Sequence, residues 1–267
     1  MIEKITSPQN PRIKQAIRLH SSRGRQSQGK IIIFGEREVG RAFDTGLSLE
    51  ELFVCEAVSD HEIDDIKVRY SSTVPVTLLS QQVFAKVSYG ARTSGVVGIA
   101  SRPVVALDDI KVVAPSLVVV VQSIEKPGNL GAIIRSADAC GVSAVLHADP
   151  MTDFYHPNSI RASTGAVFGM SMASGTSQEM QHWLERHNFR VFTATLQGAS
   201  DWFETNLIGD VAIVLGNEAK GLDHQWNREH YTAVKLPMKG QADSLNVSVT
   251  ASVMMFEATR QRRTNKP

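Results

Sequence analysis

Residues 117–141 read LVVVVQSIEKPGNLGAIIRSADACG. The stretch opens on an apolar run, Leu117 to Val121, too short to span a bilayer and the right length for a buried strand. A glycine-containing loop, Glu125 to Gly131, follows it. From Leu130 to Cys140 the apolar spacing predicts a helix. Strand, loop and helix form the repeating unit of an α/β sheet, in which ligands bind beyond the carboxyl ends of the strands. The alternation continues outward, with further strands predicted at Ala144–Leu146, Gly169–Ala173, Arg190–Ala194, Val211–Leu215 and Ala233–Leu236. Helices are predicted at Asn158–Thr164, Glu179–His187 and along the C-terminal segment. This order predicts a parallel sheet covered by helices. Leu245, Val247, Val249, Ala251 and Val253 alternate like a strand, but Leu245, Val249, Val253 and Phe256 share one helical face. The length to Arg263 and the arginine-rich end favour a helix.

Upstream lies a second, smaller α/β region. Strands are predicted at Lys30–Phe34, Leu52–Cys55, Val74–Leu79 and Val96–Ala100, and helices at Glu36–Gly46 and Ser59–Arg69, with a helical turn at Val83–Val87. Residues 8–30 read as a basic amphipathic helix followed by a polar loop. The stretch Arg102 to Ser116, with two prolines and an Asp-Asp pair, reads as a linker. The predicted organisation is thus a domain at 1–101, a linker at 102–116 and a second domain at 117–267.

Composition narrows the classes. The chain has 267 residues, 42% hydrophobic and 21% charged, which excludes disorder, collagen and coiled coil as whole-chain descriptions. Two cysteines, Cys55 and Cys140, cannot build a disulfide framework or a four-thiolate zinc site. The histidines show no metal-ligand spacing, and Asp149, Asp153 and His156 read as a polar loop; no metal is expected. No apolar run is long enough for a membrane span, and Met1-Ile2-Glu3-Lys4 lacks an apolar signal core. A cytoplasmic protein is predicted. Net charge is +1, but residues 1–30 carry +6 and the remainder −5. Such a basic arm suggests contact with phosphates, with a solvated helix face as the alternative. The tail from Arg260 to Lys266 adds four more cations.

Three loops after strands carry unusual content. In the first, Asn129 sits at a helix start, where it can cap or bind substrate, and Arg135 follows with a planar fork suited to phosphate. In the second, Gly216 to Gly221 has P-loop glycine spacing, but Leu222 stands where the P-loop lysine would be, so a nucleoside triphosphate is not expected. The third, Leu236-Pro237-Met238 with Ser244-Leu245-Asn246, sets polar side chains beside an apolar wall. That suits an adenine-and-thioether ligand. No G-x-G-x-x-G follows a first strand, so a dinucleotide dehydrogenase is discounted.

Together and in this order, PGNLGAIIRSADACG (127–141), IVLGNEAKGL (213–222) and LPMKGQADSLNVSVTASVMMFE (236–257) resemble the three motifs of the SpoU/TrmH family of RNA ribose 2′-O-methyltransferases, within the SPOUT superfamily. Arg161-Ala162-Ser163-Thr164-Gly165-Ala166-Val167-Phe168 resembles a further segment of that family's catalytic domain. The resemblance spans about residues 115 to 260. Ile5-Thr6-Ser7 with Asn10-Pro11-Arg12-Ile13-Lys14 resembles the family's opening motif, and residues 30–100 its small RNA-binding domain, akin to a ribosomal protein. One departure stands out: where the family often has Glu-Gly, Phe34 precedes Gly35.

The resemblance implies an α/β fold with a deep C-terminal trefoil knot and a homodimer whose knotted region lies near the interface. It implies S-adenosylmethionine as cofactor, held near Thr195, Leu215, Gly216, Leu236, Met238 and Leu245. It also implies methyl transfer to a ribose 2′-hydroxyl of structured RNA, ribosomal RNA before transfer RNA. Arg135 would act near the ribose and its phosphate, while Asn129, Glu218, Ser244 and Asn246 position substrate and cofactor. For Glu218 a structural ion pair, and for Asn246 a plain helix cap, stand as alternatives. The RNA contacts expected are Arg12, Lys14, Arg23, Arg25, Arg37 and Arg161. The competing classes are a base-methylating enzyme of the same superfamily and a non-catalytic knotted RNA-binding protein; Asn129 and Arg135 argue against the first, and the intact polar set against the second.

Overall fold

A computed structural model describes residues 2–89, 95–197 and 200–264. Met1 and Lys266, invoked above for the N-terminus and the basic tail, lie outside the described residues. The chain divides into two compact units, Met1–Pro103 with Tyr155–Gly169, and Val104–Phe154 with Met170–Pro267.

In the first unit the elements run β1 (Glu3–Ile5), α1 (Pro11–Arg18), α2 (Ser22–Gln28), β2 (Lys30–Phe34), α3 (Glu36–Asp44), β3 (Leu49–Cys55), α4 (Asp60–Tyr70), β4 (Val76–Leu79), α5 (Gln81–Val87) and β5 (Val96–Ser101). The sheet order is β1-β4-β3-β5-β2. β5 is antiparallel to both neighbours, and the other pairs are parallel. Ile13, Leu19, Ile32, Phe53, Leu79 and Phe84 close its core.

The single basic helix expected over the arm is two helices. Ser21 breaks it, its hydroxyl accepting from the Gly24 N–H at 3.1 Å as the N-cap of α2. Gly24 is obligatory there, because any Cβ would collide with the carbonyl of Arg18. β1 escaped the sequence reading because three residues are too few to show a period; it exists by pairing with β4.

The second unit contains β6 (Leu117–Gln122), α6 (Pro127–Cys140) and β7 (Ala144–Ala148). The intervening helix α7 (Pro157–Ala162) packs with the first unit, although its sequence reads as part of the second domain. There Arg41 donates to the Thr164 carbonyl at 2.7 Å. The second unit resumes with β8 (Met172–Gly175), α8 (Ser177–Arg186), β9 (Arg190–Ala194), β10 (Ser200–Asp201), β11 (Val211–Leu215), β12 (Thr232–Lys235) and α9 (Val247–Thr264).

All pairs in its sheet are parallel, in the order β10-β12-β9-β11-β6-β7-β8. The chain leaves β6 toward β7 and β8, then crosses to β9, β11 and β12 on the other side. The switch point of an open parallel sheet, where ligands gather, therefore lies at β6 and β11. Strands buried on both faces need continuous apolar runs rather than alternation, which Leu117–Val121 and Val211–Leu215 supply.

The ambiguous segment is a helix from Val247, with Ala251, Met254, Met255 and Ala258 buried along one stripe. Asn246 begins it, its Oδ1 accepting the Ser248 N–H at 2.9 Å and the Ser248 hydroxyl at 2.7 Å. Ser136 on α6 meets Ser252 on α9, hydroxyl to hydroxyl, at 2.7 Å.

The far end of α9 is latched by Arg262. Its guanidinium donates to the carbonyls of Pro115 at 3.2 Å, Ser116 at 2.9 Å, Leu207 at 3.2 Å and Gly209 at 2.6 Å. Arg260 is paired with Glu257, so the tail is less a free cationic patch than its sequence suggests. Arg262→Ala should lower the unfolding free energy by about 2–3 kcal/mol, since loss of a charged donor leaves carbonyls unsatisfied. Arg262→Lys should recover only part of it, because an ammonium lacks the planar fork. Urea unfolding midpoints measure both; a midpoint unmoved by the alanine would refute the latch.

Candidate active site

The loops after β6 and β11 and the segment before α9 meet at the switch point. Asn129 lies on the third residue of α6 and does not cap it, because the helix starts at Pro127, earlier than its sequence suggests. Its amide is instead free to reach across. Asn129 Nδ2 donates to Glu218 Oε1 at 2.8 Å, and Asn246 Nδ2 donates to Asn129 Oδ1 at 3.3 Å. Three residues from three distant motifs thus form one chain. Asn246 caps α9, the alternative reading given for it, and also donates to Asn129. No lysine or arginine pairs with Glu218 among the described residues; its partners are Asn129 and backbone N–H groups.

Burial pushes the Glu218 carboxyl up, but bonds from Asn129 and from the N–H groups of Glu218, Glu125 and Lys126 outweigh it, leaving the pKa below the usual value. The carboxylate is therefore ionised at neutral pH. A depressed value means its contribution is complete above the ordinary Glu pKa of about 4.3 and is lost as pH falls through the lower folded value. Ligand affinity at this site should therefore stay flat from neutrality down to about pH 5 as far as Glu218 is concerned. An affinity falling below pH 7 in wild type but not in Glu218→Gln would contradict the shift.

The loop from Gly216 to Gly221 is closed on itself. Asn217 N donates to Gly221 O at 3.0 Å and Gly221 N to Asn217 O at 2.9 Å. Gly221 has φ +70°, a conformation that favours glycine. Any Cβ on Gly216 would collide with the backbone of Gly221 and Leu222. Asn217, given no role in the sequence reading, organises the turn. Its Oδ1 accepts from Ala219 N at 2.9 Å and Lys220 N at 3.1 Å, while its Nδ2 donates to Ser123 O at 2.9 Å and Glu125 Oε1 at 3.2 Å. The signal was its place between Gly216 and Glu218, two positions before the first turn residue it bonds. Below it, Gln122, Asp149, Ser177 and Trp226 share a buried network in which the Trp226 indole donates to Ser177 Oγ at 3.1 Å.

A cavity of about 580 Å³ opens beside this loop. All six residues expected to hold the cofactor line it: Thr195, Leu215, Gly216, Leu236, Met238 and Leu245. Glu218 and Ser244 line it too, as do Asn217, Lys220, Asp243 and Met254, which sequence reasoning did not single out. The volume falls in the range of small-molecule sites. Its wall mixes aliphatic and thioether side chains with a few polar groups, and the bare backbone at Gly216 allows close approach. These features fit an adenosine-bearing sulfonium ligand.

Arg135 is not part of the lining. It is exposed on α6 and has no hydrogen-bond or ion-pair partner among the described residues. Its charge is available for a ligand from outside this cavity.

The basic candidates fall in the first unit and separate into two groups. Arg25 does not fit the expected RNA contact: it is 1% exposed, and its guanidinium donates to the carbonyls of Leu19 and His20, each at 2.9 Å. From its place on α2 it reaches back to the turn after α1, and those carbonyls consume it. Arg12 is held by Glu51, by Glu3 at 2.7 Å and by Thr77 at 2.6 Å, and Glu51 is its foremost partner. Arg37 is exposed but paired with Glu38 at 2.5 Å. Lys14, Arg23 and Arg161 are exposed, as is Arg18 beside them in sequence.

His147 is fully buried with neither ring nitrogen hydrogen-bonded, and burial lowers its pKa to about 4, so it is neutral. Asp149 accepts from Ser177, and His156 caps α7. Among the described residues no three His, Cys, Asp or Glu side chains are grouped as metal ligands, and no helix is long and apolar enough to cross a membrane.

A parallel sheet with a glycine-cradled cavity at its switch point, and a polar chain at the rim, defines an α/β domain built for a nucleoside-type ligand. The sequence matches the SpoU rRNA Methylase family over residues 116–256 and an MRM3-like substrate binding domain over residues 10–98. The chain belongs to the SpoU rRNA methylase family. It is 29% identical to a 23S rRNA (uridine(2479)-2′-O)-methyltransferase of Streptomyces viridochromogenes, over 97% of this chain and 92% of the relative. It is 30% identical to the 23S rRNA (guanosine-2′-O-)-methyltransferase RlmB of Neisseria meningitidis serogroup B, over 86% and 95%. Its fold superposes with a TM-score of 0.88 on an AdoMet-bound rRNA methyltransferase from Sinorhizobium meliloti, at 26% identity over 97% and 98%.

Proposed function

We propose that this chain transfers a methyl group from S-adenosylmethionine to a ribose 2′-hydroxyl of ribosomal RNA. The observation that carries the reading is the cavity at Gly216, with Glu218, Asn129 and Asn246 joined at its rim. The AdoMet-bound neighbour and the two 23S rRNA relatives support cofactor and substrate class. When bound, S-adenosylmethionine supplies an electrophilic methyl group and leaves as a neutral thioether.

The protein then has to align the ribose oxygen with that methyl and assist the loss of one proton. Gly216 admits the ligand against bare backbone, while Leu215, Leu236, Met238 and Leu245 hold its apolar parts and exclude water. Thr195 and Ser244 offer hydrogen bonds. Glu218, ionised and fixed by Asn129, presents a carboxylate at the rim, and Asn246 anchors that pair to α9. Arg135 clamps the neighbouring phosphate and stabilises charge on the 2′-oxygen as its proton leaves. A guanidinium is a poor base, so the proton goes to another acceptor.

Arg135 lies outside its own chain's cavity lining, and Val249 and Phe256 on α9 are 46% and 54% exposed. Both facts favour the homodimer that the family resemblance implies, with Arg135 of one copy serving the other's cavity and the proposed trefoil knot beside the interface. Residues 1–101 are proposed as the RNA-binding domain, 117–267 as the methyltransferase domain, and the cytoplasm as the place of action.

Arg18 takes the place of Arg25 beside the expected Lys14 and Arg23 in the proposed electrostatic footprint. Reversing all three to glutamate should weaken RNA binding and reduce the slope of log affinity against log salt by about 0.7–0.9 for each phosphate no longer neutralised. An unchanged slope would make the arm a solvated surface. The reaction itself is tested by transfer of labelled methyl from S-adenosylmethionine to unmodified ribosomal and transfer RNA, followed by nucleoside mass spectrometry. A 2′-O-methylated nucleoside from the ribosomal pool is expected. Label on a base, or only in transfer RNA, would overturn the chemistry or the substrate class.

A further inference from the structure

Four rings meet at one place in the first unit. Phe34, at the end of β2, stacks on Tyr89 with centroids 5.9 Å apart and planes 30° apart. His20, just after α1, sets itself edge-on to both, at 5.6 Å from Phe34 and 5.4 Å from Tyr89. His156, the N-cap of α7, meets Tyr89 edge-on at 6.2 Å. None of the four is buried; each is half-exposed at the margin of a core whose sealed members include Phe53 and Phe84. Their order in the chain (residues 20, 34, 89 and 156) shows that four separate segments converge here. Phe34 also occupies the position at which this sequence departs from the pattern it otherwise resembles.

Two exposed cations lie close to these rings in sequence. Arg18 precedes His20 by two residues at the end of α1, and Arg161 follows His156 on α7. His20 Nε2 lies 2.8 Å from the Val87 carbonyl, and burial lowers the ring's pKa, so it contributes a neutral face rather than a charge. Half-exposed rings beside cations are the combination that takes an unpaired nucleobase: every base has a π-face, and the cations hold the phosphates on either side. A double-stranded RNA, with its bases stacked inside, presents nothing for such rings.

We propose that Phe34 and Tyr89, framed by His20 and His156, form a stacking site for one unpaired base of the RNA substrate, with Arg18 and Arg161 on the adjoining phosphates. This rests on the reading that the chain acts on RNA, and adds that its first unit grips a single-stranded or splayed-out nucleotide.

The test uses the full chain and a short unstructured oligoribonucleotide carrying one 2-aminopurine, whose fluorescence is quenched when it stacks. Wild type should bind and quench, and the same oligonucleotide annealed to its complement should compete poorly. Tyr89→Leu should bind about tenfold more weakly and lose the quench, while Tyr89→Phe keeps both. Phe34→Leu provides a second variant should Tyr89→Leu unfold; thermal unfolding of each variant verifies the fold. Wild type that binds the RNA without quenching, or folded Leu variants that bind and quench as wild type does, would overturn the stacking site and leave the proposed methyl transfer standing. Wild type that binds neither single-stranded nor duplex RNA would overturn both. Preferential binding of the duplex would replace the site with recognition by helix shape.

Discussion

Gly216→Ala should weaken S-adenosylmethionine binding and lower methyl transfer by about a hundredfold, the usual rate cost when a positioning backbone is displaced by an ångström or so. A Cβ at this position would overlap backbone atoms of Gly221 and Leu222, and backbone cannot swing aside as a flexible side chain can. The loop must therefore open. Opening it breaks the paired hydrogen bonds between Asn217 and Gly221 and shifts the carboxylate of Glu218, which the cavity and Asn129 share. The damage is local, because β11 ends at Leu215 and its pairing with β6 and β9 is untouched. Calorimetric titration with S-adenosylmethionine, alongside a thermal melt, separates the two effects. Wild-type affinity in a folded Gly216→Ala protein would remove the loop from the cofactor site.

Arg135→Ala should lower methyl transfer by about 10²–10³, the usual cost of deleting a preorganised donor aimed at developing negative charge. Cofactor binding should hardly change, because Arg135 is exposed on α6 and does not line the cavity. Turnover near wild type would refute its catalytic assignment. The same side chain tests the dimer. If Arg135 serves the partner's cavity, co-folding Arg135→Ala with Gly216→Ala chains should restore activity, because each mixed dimer carries one site with both residues intact. No recovery in verified mixed dimers would place Arg135 within its own chain's site.

Much of the fold was legible because its signals are local. Arg190–Ala194 and Val211–Leu215 are strands over the ranges their apolar runs predict, and Ser59 caps α4 beside the predicted start. Boundaries slipped where a neighbour decided them. The strand predicted at Gly169–Ala173 runs Met172–Gly175, because residues 166–168 tighten into a 3-10 turn behind Gly165 at φ +87°. α6 begins at Pro127 rather than Leu130, and with that shift Asn129 changes from a cap to a cross-link.

The cofactor-site expectations rested on the resemblance carried by three motifs in order, a pattern that one-dimensional sequence can display. The arm's arginines could not be sorted that way. Arg23 and Arg25 are two residues apart with the same charge, yet one is in solvent and the other is sealed against carbonyls.

By itself, the sequence determined the alternation of strand and helix, the parallel sheet, the glycine-bearing loops and the residue types at the switch point, because these follow from periodicity, turn chemistry and motif order. Tertiary structure alone decided that Glu218 and Asn246, 89 and 117 residues from Asn129, join it in one hydrogen-bonded chain, that Arg25 is structural, and that Phe34 meets Tyr89. The physical reason is that burial and pairing depend on which segments the sheet order brings together. In this sheet β11 lies beside β6, and that adjacency is written in no single stretch of the chain.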